Sequence, residues 1–90
     1  MSIKFLTLNT WNGGVFFDAI LSFVQKENPD IVCFQEVYNG KDKSLEKRFR
    51  AFEIFKKELG FPHSIFAPAL RDMSNNLSID RGNAVFQSFP

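Results

Sequence analysis

Asn28-Pro29-Asp30-Ile31-Val32-Cys33-Phe34-Gln35-Glu36-Val37 is the stretch from which the rest of the chain takes its meaning. It holds a short apolar run, Ile31 to Phe34, opened by Pro29 and closed by the polar pair Gln35 and Glu36. A run rich in β-branched and aromatic residues and bounded by a turn signal reads as a buried strand. Glu36 then falls at the carboxyl end of that strand, where open α/β sheets present their chemistry. A carboxylate there is costly to dehydrate unless a cation or a hydrogen-bonding partner accompanies it. The ordinary alternative is a strand-end carboxylate turned to water or paired with a nearby lysine.

Upstream, Ile3-Lys4-Phe5-Leu6-Thr7-Leu8-Asn9 reads as a first strand. It is apolar on both faces beyond Lys4, as a strand buried on both sides is. Asn9-Thr10-Trp11-Asn12-Gly13-Gly14 ends it, and the glycine pair permits a sharp turn. Phe16, Ile20, Phe23 and Val24 predict a helix from Phe16 to Lys26, which Asn28-Pro29 stops. Strand, helix and strand with short connections imply a right-handed crossover and adjacent parallel strands.

Downstream, Tyr38 to Ser44 is a polar loop. Leu45, Phe49, Phe52, Phe55 and Leu59 form one helical stripe, so a second helix is expected from Ser44 to Leu59. Ser44 suits its N-cap and Gly60 its stop. Glu46 with Arg50, and Glu53 with Lys57, stand at i,i+4 on the solvent side. The many Lys and Arg residues here are interleaved with acids, which describes a solvated face better than a polyanion site. Pro62 to Ala67 is a third strand, Pro68 to Arg81 a long loop without periodicity, and Gly82 to Gln87 a last strand.

Ninety residues hold one small core and one domain, residues 1–90. A net charge of +1 gives no global argument for a nucleic-acid or membrane partner. Cys33 is the only cysteine, which excludes an internal disulfide, and its apolar surroundings suggest an inert core thiol. No stretch is long and apolar enough to span a bilayer, and the amino terminus lacks a signal peptide's apolar block. A reducing, cytoplasmic setting is the default expectation. Twelve phenylalanines either fill a core or leave a surface that expects a partner.

Three polar marks punctuate the strand ends: Asn9 with Asn12, Gln35 with Glu36, and Asn83. One carboxylate with carboxamides suits a hard cation such as Mg²⁺, which takes oxygen ligands and keeps several waters. Carboxamides also donate to phosphate. Each asparagine alone reads as a turn residue.

Taken together, Leu6-Thr7-Leu8-Asn9-Thr10-Trp11-Asn12, the central stretch, Arg81-Gly82-Asn83-Ala84-Val85 and Phe89-Pro90 resemble the endonuclease/exonuclease/phosphatase superfamily, in its order. The resemblance implies an α/β fold with two facing sheets flanked by helices, and Mg²⁺-dependent (or Mn²⁺-dependent) cleavage of phosphoesters. By resemblance Glu36 is the metal-binding glutamate. Asn9 orients the active site and its phosphate, Gln35 is the usual neighbour of the glutamate, and Asn83 marks the strand leading away, a second contact for substrate. Trp11, where the DNA-repair branch has Asn or Asp, brings the chain closer to sphingomyelinase-like and unassigned bacterial members. Phe86-Gln87 also replaces a more usual Leu-Ser.

Domains of this family are much longer, and its central Asp-x-Asn, later Asp and final Asp-His have no counterpart here. The resemblance therefore implies an amino-terminal half-domain, strand-helix-strand-helix-strand-strand, inactive by itself. The single histidine, His63, comes too early to be the family's base and reads as a strand-edge residue. A phosphate-ester substrate is implied (nucleic acid, phospholipid headgroup or sugar phosphate), with a missing carboxy-terminal half or self-association to cover exposed apolar surface. The alternative is a non-catalytic interaction module or a truncated remnant of the fold. A Rossmann-like nucleotide binder fits poorly, since Asn12-Gly13-Gly14 is not a G-x-G-x-x-G turn.

Overall fold

The computed structural model describes residues 2–11, 16–72 and 79–89. Strand β1 (Phe5–Asn9) leads to helix α1 (Phe17–Glu27) and strand β2 (Ile31–Tyr38). A 3-10 turn (Lys47–Arg50) runs into helix α2 (Ala51–Leu59), and strands β3 (His63–Asp72) and β4 (Ile79–Gln87) complete the order. The sheet is ordered β1-β2-β4-β3. β1 is parallel to β2, while β4 is antiparallel to both β2 and β3.

Asn28 stops α1 in the left-handed region, φ 48°, and its N–H donates to Val24 O at 2.9 Å. Asp30 then sets the parallel register. Its Oδ2 accepts the Lys4 N–H at 2.8 Å, and its own N–H donates to Lys4 O at 2.8 Å. Phe5 therefore faces Ile31, and Asn9 faces Gln35. The Pro-Asp pair is thus a start signal for two strands at once.

Both helices cover one face of the sheet, and the core lies between. Phe55 of α2 stacks on Phe17 of α1 at 4.9 Å and on Phe34 of β2 at 4.5 Å. Phe34 in turn meets Phe86 of β4 edge-on at 5.9 Å. Such ring pairs add to the gain from area burial, and here they tie four elements together. On α1 the inward residues are Phe17, Ile20, Leu21 and Val24. Phe16 and Phe23, expected on that stripe, are exposed, because the helix begins at Phe17 and turns that residue inward.

The other face of the sheet is open. β1 is not buried on both sides: Leu6 and Leu8 face the helices, whereas Phe5, Thr7 and Asn9 are exposed. Phe5 is 59% and Ile65 of β3 65% exposed. Cys33 is half-buried on this open face rather than a core thiol.

The second helix is shorter than its stripe suggests. Ser44 does not cap it; instead its N–H and hydroxyl donate to Asp42 Oδ1 at 2.9 and 2.8 Å. Those two bonds, the backbone one first, hold the Asp42 carboxyl below its usual range. This local turn, with Arg50 Nε donating to Leu45 O at 2.9 Å, competes successfully with helix until Lys47. Glu46, which precedes the helical turn, meets Arg48, and Glu53 of α2 meets Lys41 across the groove.

The segment expected as a loop over 68–81 is largely a hairpin, with β3 continuing to Asp72 and β4 beginning at Ile79. Pro68 is tolerated because β3 is an edge strand, and the register shifts between Pro68 and Leu70. The Gly13-Gly14 turn and Ser74-Asn75-Asn76 lie outside the described residues. Gly82 faces this irregularity, and a Cβ there would lie 2.0 Å from Ala67 O and 2.8 Å from Ala69 N. Gly82→Ala is accordingly expected to cost about 1–3 kcal/mol of stability through overpacking against backbone, read from urea unfolding.

Candidate functional site

Phe34 and Val37 stand three residues apart in β2, yet both are fully buried. In a regular strand they would point to opposite faces. The conflict is resolved by a bulge: the register against β4 shifts between Phe34 and Val37, so Gln35 and Glu36 together oppose Asn83. An extra residue of this kind re-aims side chains and bends the strand. Gln35 and Glu36 are both half-buried between buried neighbours. Glu36 therefore lies inside β2 rather than at its end, as the sequence had suggested. Its φ is 59°, a left-handed conformation uncommon for a residue with a Cβ.

β1 brings Asn9 to the same rim. Asn9 Oδ1 accepts the Trp11 N–H at 2.7 Å, in a turn that also places Trp11 at φ 58°. Between them Thr10 is completely buried. Its N–H donates to Gln35 O at 3.0 Å, and its hydroxyl oxygen lies 2.9 Å from both Gln35 O and Glu36 O. Gln35 Nε2 reaches back to donate to Thr7 Oγ1 at 3.0 Å. Asn83 is exposed on β4, opposite Ala67 of β3. The register thus lays Asn9, Gln35 with Glu36, and Asn83 in one row across three strands. Asn83 joins the row from the middle of β4, which runs antiparallel to β2. Asn12 lies outside the described residues.

Sequence reasoning assigned no role to Thr10 or to Arg81, both of which lie within the quoted motifs. The Arg81 guanidinium carbon lies 5.9 Å from the Tyr38 ring centroid, and Tyr38 meets Phe49 edge-on at 5.0 Å. Arg48 covers Phe49 at 4.5 Å. This aromatic-cation stack stands beside the end of β2, two residues beyond Glu36.

His63 is elsewhere. It pairs with Gln87, which lies opposite Ile31, so the length of β2 separates it from Glu36, roughly 15 Å at strand spacing. Lys41, Lys43, Lys47, Arg50 and Lys57 gather on a groove of about 670 Å³ on the helix side. Two of them are paired there, Lys41 with Glu53 at 3.1 Å and Lys47 with Asp18 at 3.7 Å. Exposed pairs like these describe a solvated face. Among the described residues no group of three or more His, Cys, Asp or Glu is placed to hold a metal ion. No helix among them is long and apolar enough to cross a membrane.

The sequence matches the model of the Endonuclease/Exonuclease/phosphatase family over residues 6–90. The fold is similar to that of an endonuclease/exonuclease/phosphatase from Beutenbergia cavernae DSM 12333, with a TM-score of 0.67 and 22% sequence identity. The match covers 98% of this chain and 26% of that one, so the chain spans about a quarter of that structure's length. No curated protein sequence matches.

The conformation of Glu36 has a measurable signature. A left-handed residue with a Cβ costs about 1–2 kcal/mol, and glycine returns part of that as chain entropy, roughly 0.5–1 kcal/mol. Urea unfolding is expected to find Glu36→Gly as stable as Glu36→Ala or up to about 1 kcal/mol more so, both having lost the side chain's own contacts. Glu36→Val, β-branched at positive φ, is expected to lose about 1 kcal/mol or more.

Proposed function

The chain belongs to the endonuclease/exonuclease/phosphatase family, and from that premise we propose that the row Asn9, Glu36 and Asn83 is the amino-terminal part of a Mg²⁺-dependent phosphoesterase site. The observation that carries this reading is Glu36 itself, a carboxylate held at φ 59° in a bulge beside two carboxamides. Strained backbone of this sort persists where surrounding structure over-determines it, and it concentrates at functional sites.

The donor chemistry fits a hard cation in part. One carboxylate with amide oxygens is a sparse ligand set of the kind Mg²⁺ accepts when substrate phosphate and water complete it. When bound, the cation polarises a phosphoryl oxygen and offsets charge on the leaving oxygen. Mn²⁺ suits the same donors. Glu36 holds the cation. Asn9, whose Oδ1 is engaged by Trp11, offers its Nδ2 to a phosphate oxygen. Asn83 offers a second donor from the neighbouring strand. His63, at the other end of the sheet, activates no water here. Substrate is a phosphate ester, with nucleic acid, phospholipid headgroup and sugar phosphate all compatible with these donors. The free Cys33 suits a cytoplasmic setting.

Mn²⁺ added to residues 1–90 is expected to broaden the amide signals of Asn9, Gln35, Glu36 and Asn83 selectively, and Glu36→Gln to abolish the effect. The same chain is expected to show no Mg²⁺-dependent phosphodiester hydrolysis above that variant, because general base catalysis, worth about 10²–10⁴-fold, has no histidine among the described residues of this rim. Broadening that survives Glu36→Gln would leave the non-catalytic module as the better reading.

The open sheet face carries Phe5 and Ile65 in water, and we propose that further chain covers it in the whole protein or a second copy does so in residues 1–90. Sedimentation of residues 1–90 is expected to show self-association that a Phe5→Ser, Ile65→Ser double variant weakens. A chain that stays monomeric at high concentration refutes the need for cover.

A further inference from the structure

We infer that Thr10 is a positioning residue of this site, a group that ties the bulged backbone of Glu36 to the turn that orients Asn9. The inference rests on the reading of Glu36 as the cation's ligand, and its geometry stands apart from that reading.

Successive carbonyls of a regular strand point in opposite directions, toward the neighbour on each side. Here Gln35 O and Glu36 O converge instead on one hydroxyl, Thr10 Oγ1, at 2.9 Å each. The Thr10 N–H adds a third contact, to Gln35 O at 3.0 Å. Convergence of this kind requires the chain to reverse its pleat between the two carbonyls, which the left-handed Glu36 does. Thr10 is completely buried, so no solvent stands ready to replace its hydroxyl. Without the hydroxyl, Gln35 O keeps the Thr10 N–H, whereas the part-buried contact to Glu36 O is lost at a desolvation cost, which makes the hydroxyl a determinant of the bulge.

The same residue controls Asn9. Thr10 sits between Asn9 and Trp11, whose N–H holds Asn9 Oδ1 at 2.7 Å. Anchoring Thr10 to β2 fixes the middle of that three-residue turn. One buried side chain therefore sets the spacing between the carboxylate and the first carboxamide, although it touches neither substrate nor cation. A valine has the same shape without the donor, and a serine keeps the donor without the methyl group. The pair separates the role of the hydroxyl from that of packing.

The test uses residues 1–90, Mn²⁺ as the probe and two readouts. The first is the strong intraresidue cross-peak between amide and α protons that a positive φ gives at Glu36. The second is the Mn²⁺ dissociation constant from broadening at Asn9 and Asn83. Thr10→Val is expected to lose the cross-peak and to bind Mn²⁺ about tenfold more weakly, the usual scale for groups that orient a metal ligand. Thr10→Ser is expected to keep both. A Thr10→Val protein with the parent's cross-peak and affinity overturns the inference, and so does a Thr10→Ser protein that has lost the cross-peak. Should Thr10→Val fail to fold, the Thr10→Ser result decides alone. If the parent shows no broadening at the rim, the cation reading of Glu36 fails, and the cross-peak comparison still decides the role of Thr10.

Discussion

Two apolar residues that cannot both face the core from a regular strand, Phe34 and Val37, are both fully buried. That single constraint organises the functional end of the molecule. Keeping both inward forces one extra residue into β2, and the extra residue bends the strand and turns Glu36 into the left-handed region. Packing energy on the helix side thereby supports backbone strain on the open side. Burying a valine or phenylalanine is worth about 1.5–3 kcal/mol each, more than the roughly 1–2 kcal/mol that a left-handed residue costs.

Phe55 transmits this constraint to the rest of the fold. By stacking between Phe17 and Phe34 it makes the crossover helix, the second helix and the central strand one packed unit. Since both helices occupy one side, the other side of the sheet is left to polar residues near the rim and to apolar ones further down. Asn9, Gln35, Glu36 and Asn83 are neighbours because the register places them in one row, and nothing in their sequence spacing says so.

The crossover was legible from sequence. Pro29 and the β-branched run mark β2, and Asn28-Pro29 marks the end of α1, because each acts through local geometry, whereas the bonds of Asp30 to Lys4 do not show in the sequence. Glu36 reads from the sequence as a strand end and stands in the structure in a bulge, since a bulge is defined only by a partner strand. The second helix was read too long because the stripe from Leu45 to Leu59 does not reveal the Asp42 turn that replaces its first part. The hairpin arm was hidden by Pro68 and the polar residues after it, which an edge strand tolerates. Thr10 gave no signal because a buried hydroxyl and a spacer have the same letter. Cys33 was misplaced because an apolar run does not say which of its faces will be covered.

The parallel pairing of β1 and β2 closes over one helix, but β2 meets β4 across more than half the chain, Ile31 against Gln87. The β3–β4 arm contacts itself locally and can form early, whereas its docking onto β2 must close a long loop first. The register shift that defines the bulge is made against Asn83, so β4 completes from one side a conformation of Glu36 that Thr10 anchors from the other. The polar row is thus assembled from segments that precede and follow β2 in the chain, one joined over a short crossover and the other over a long loop.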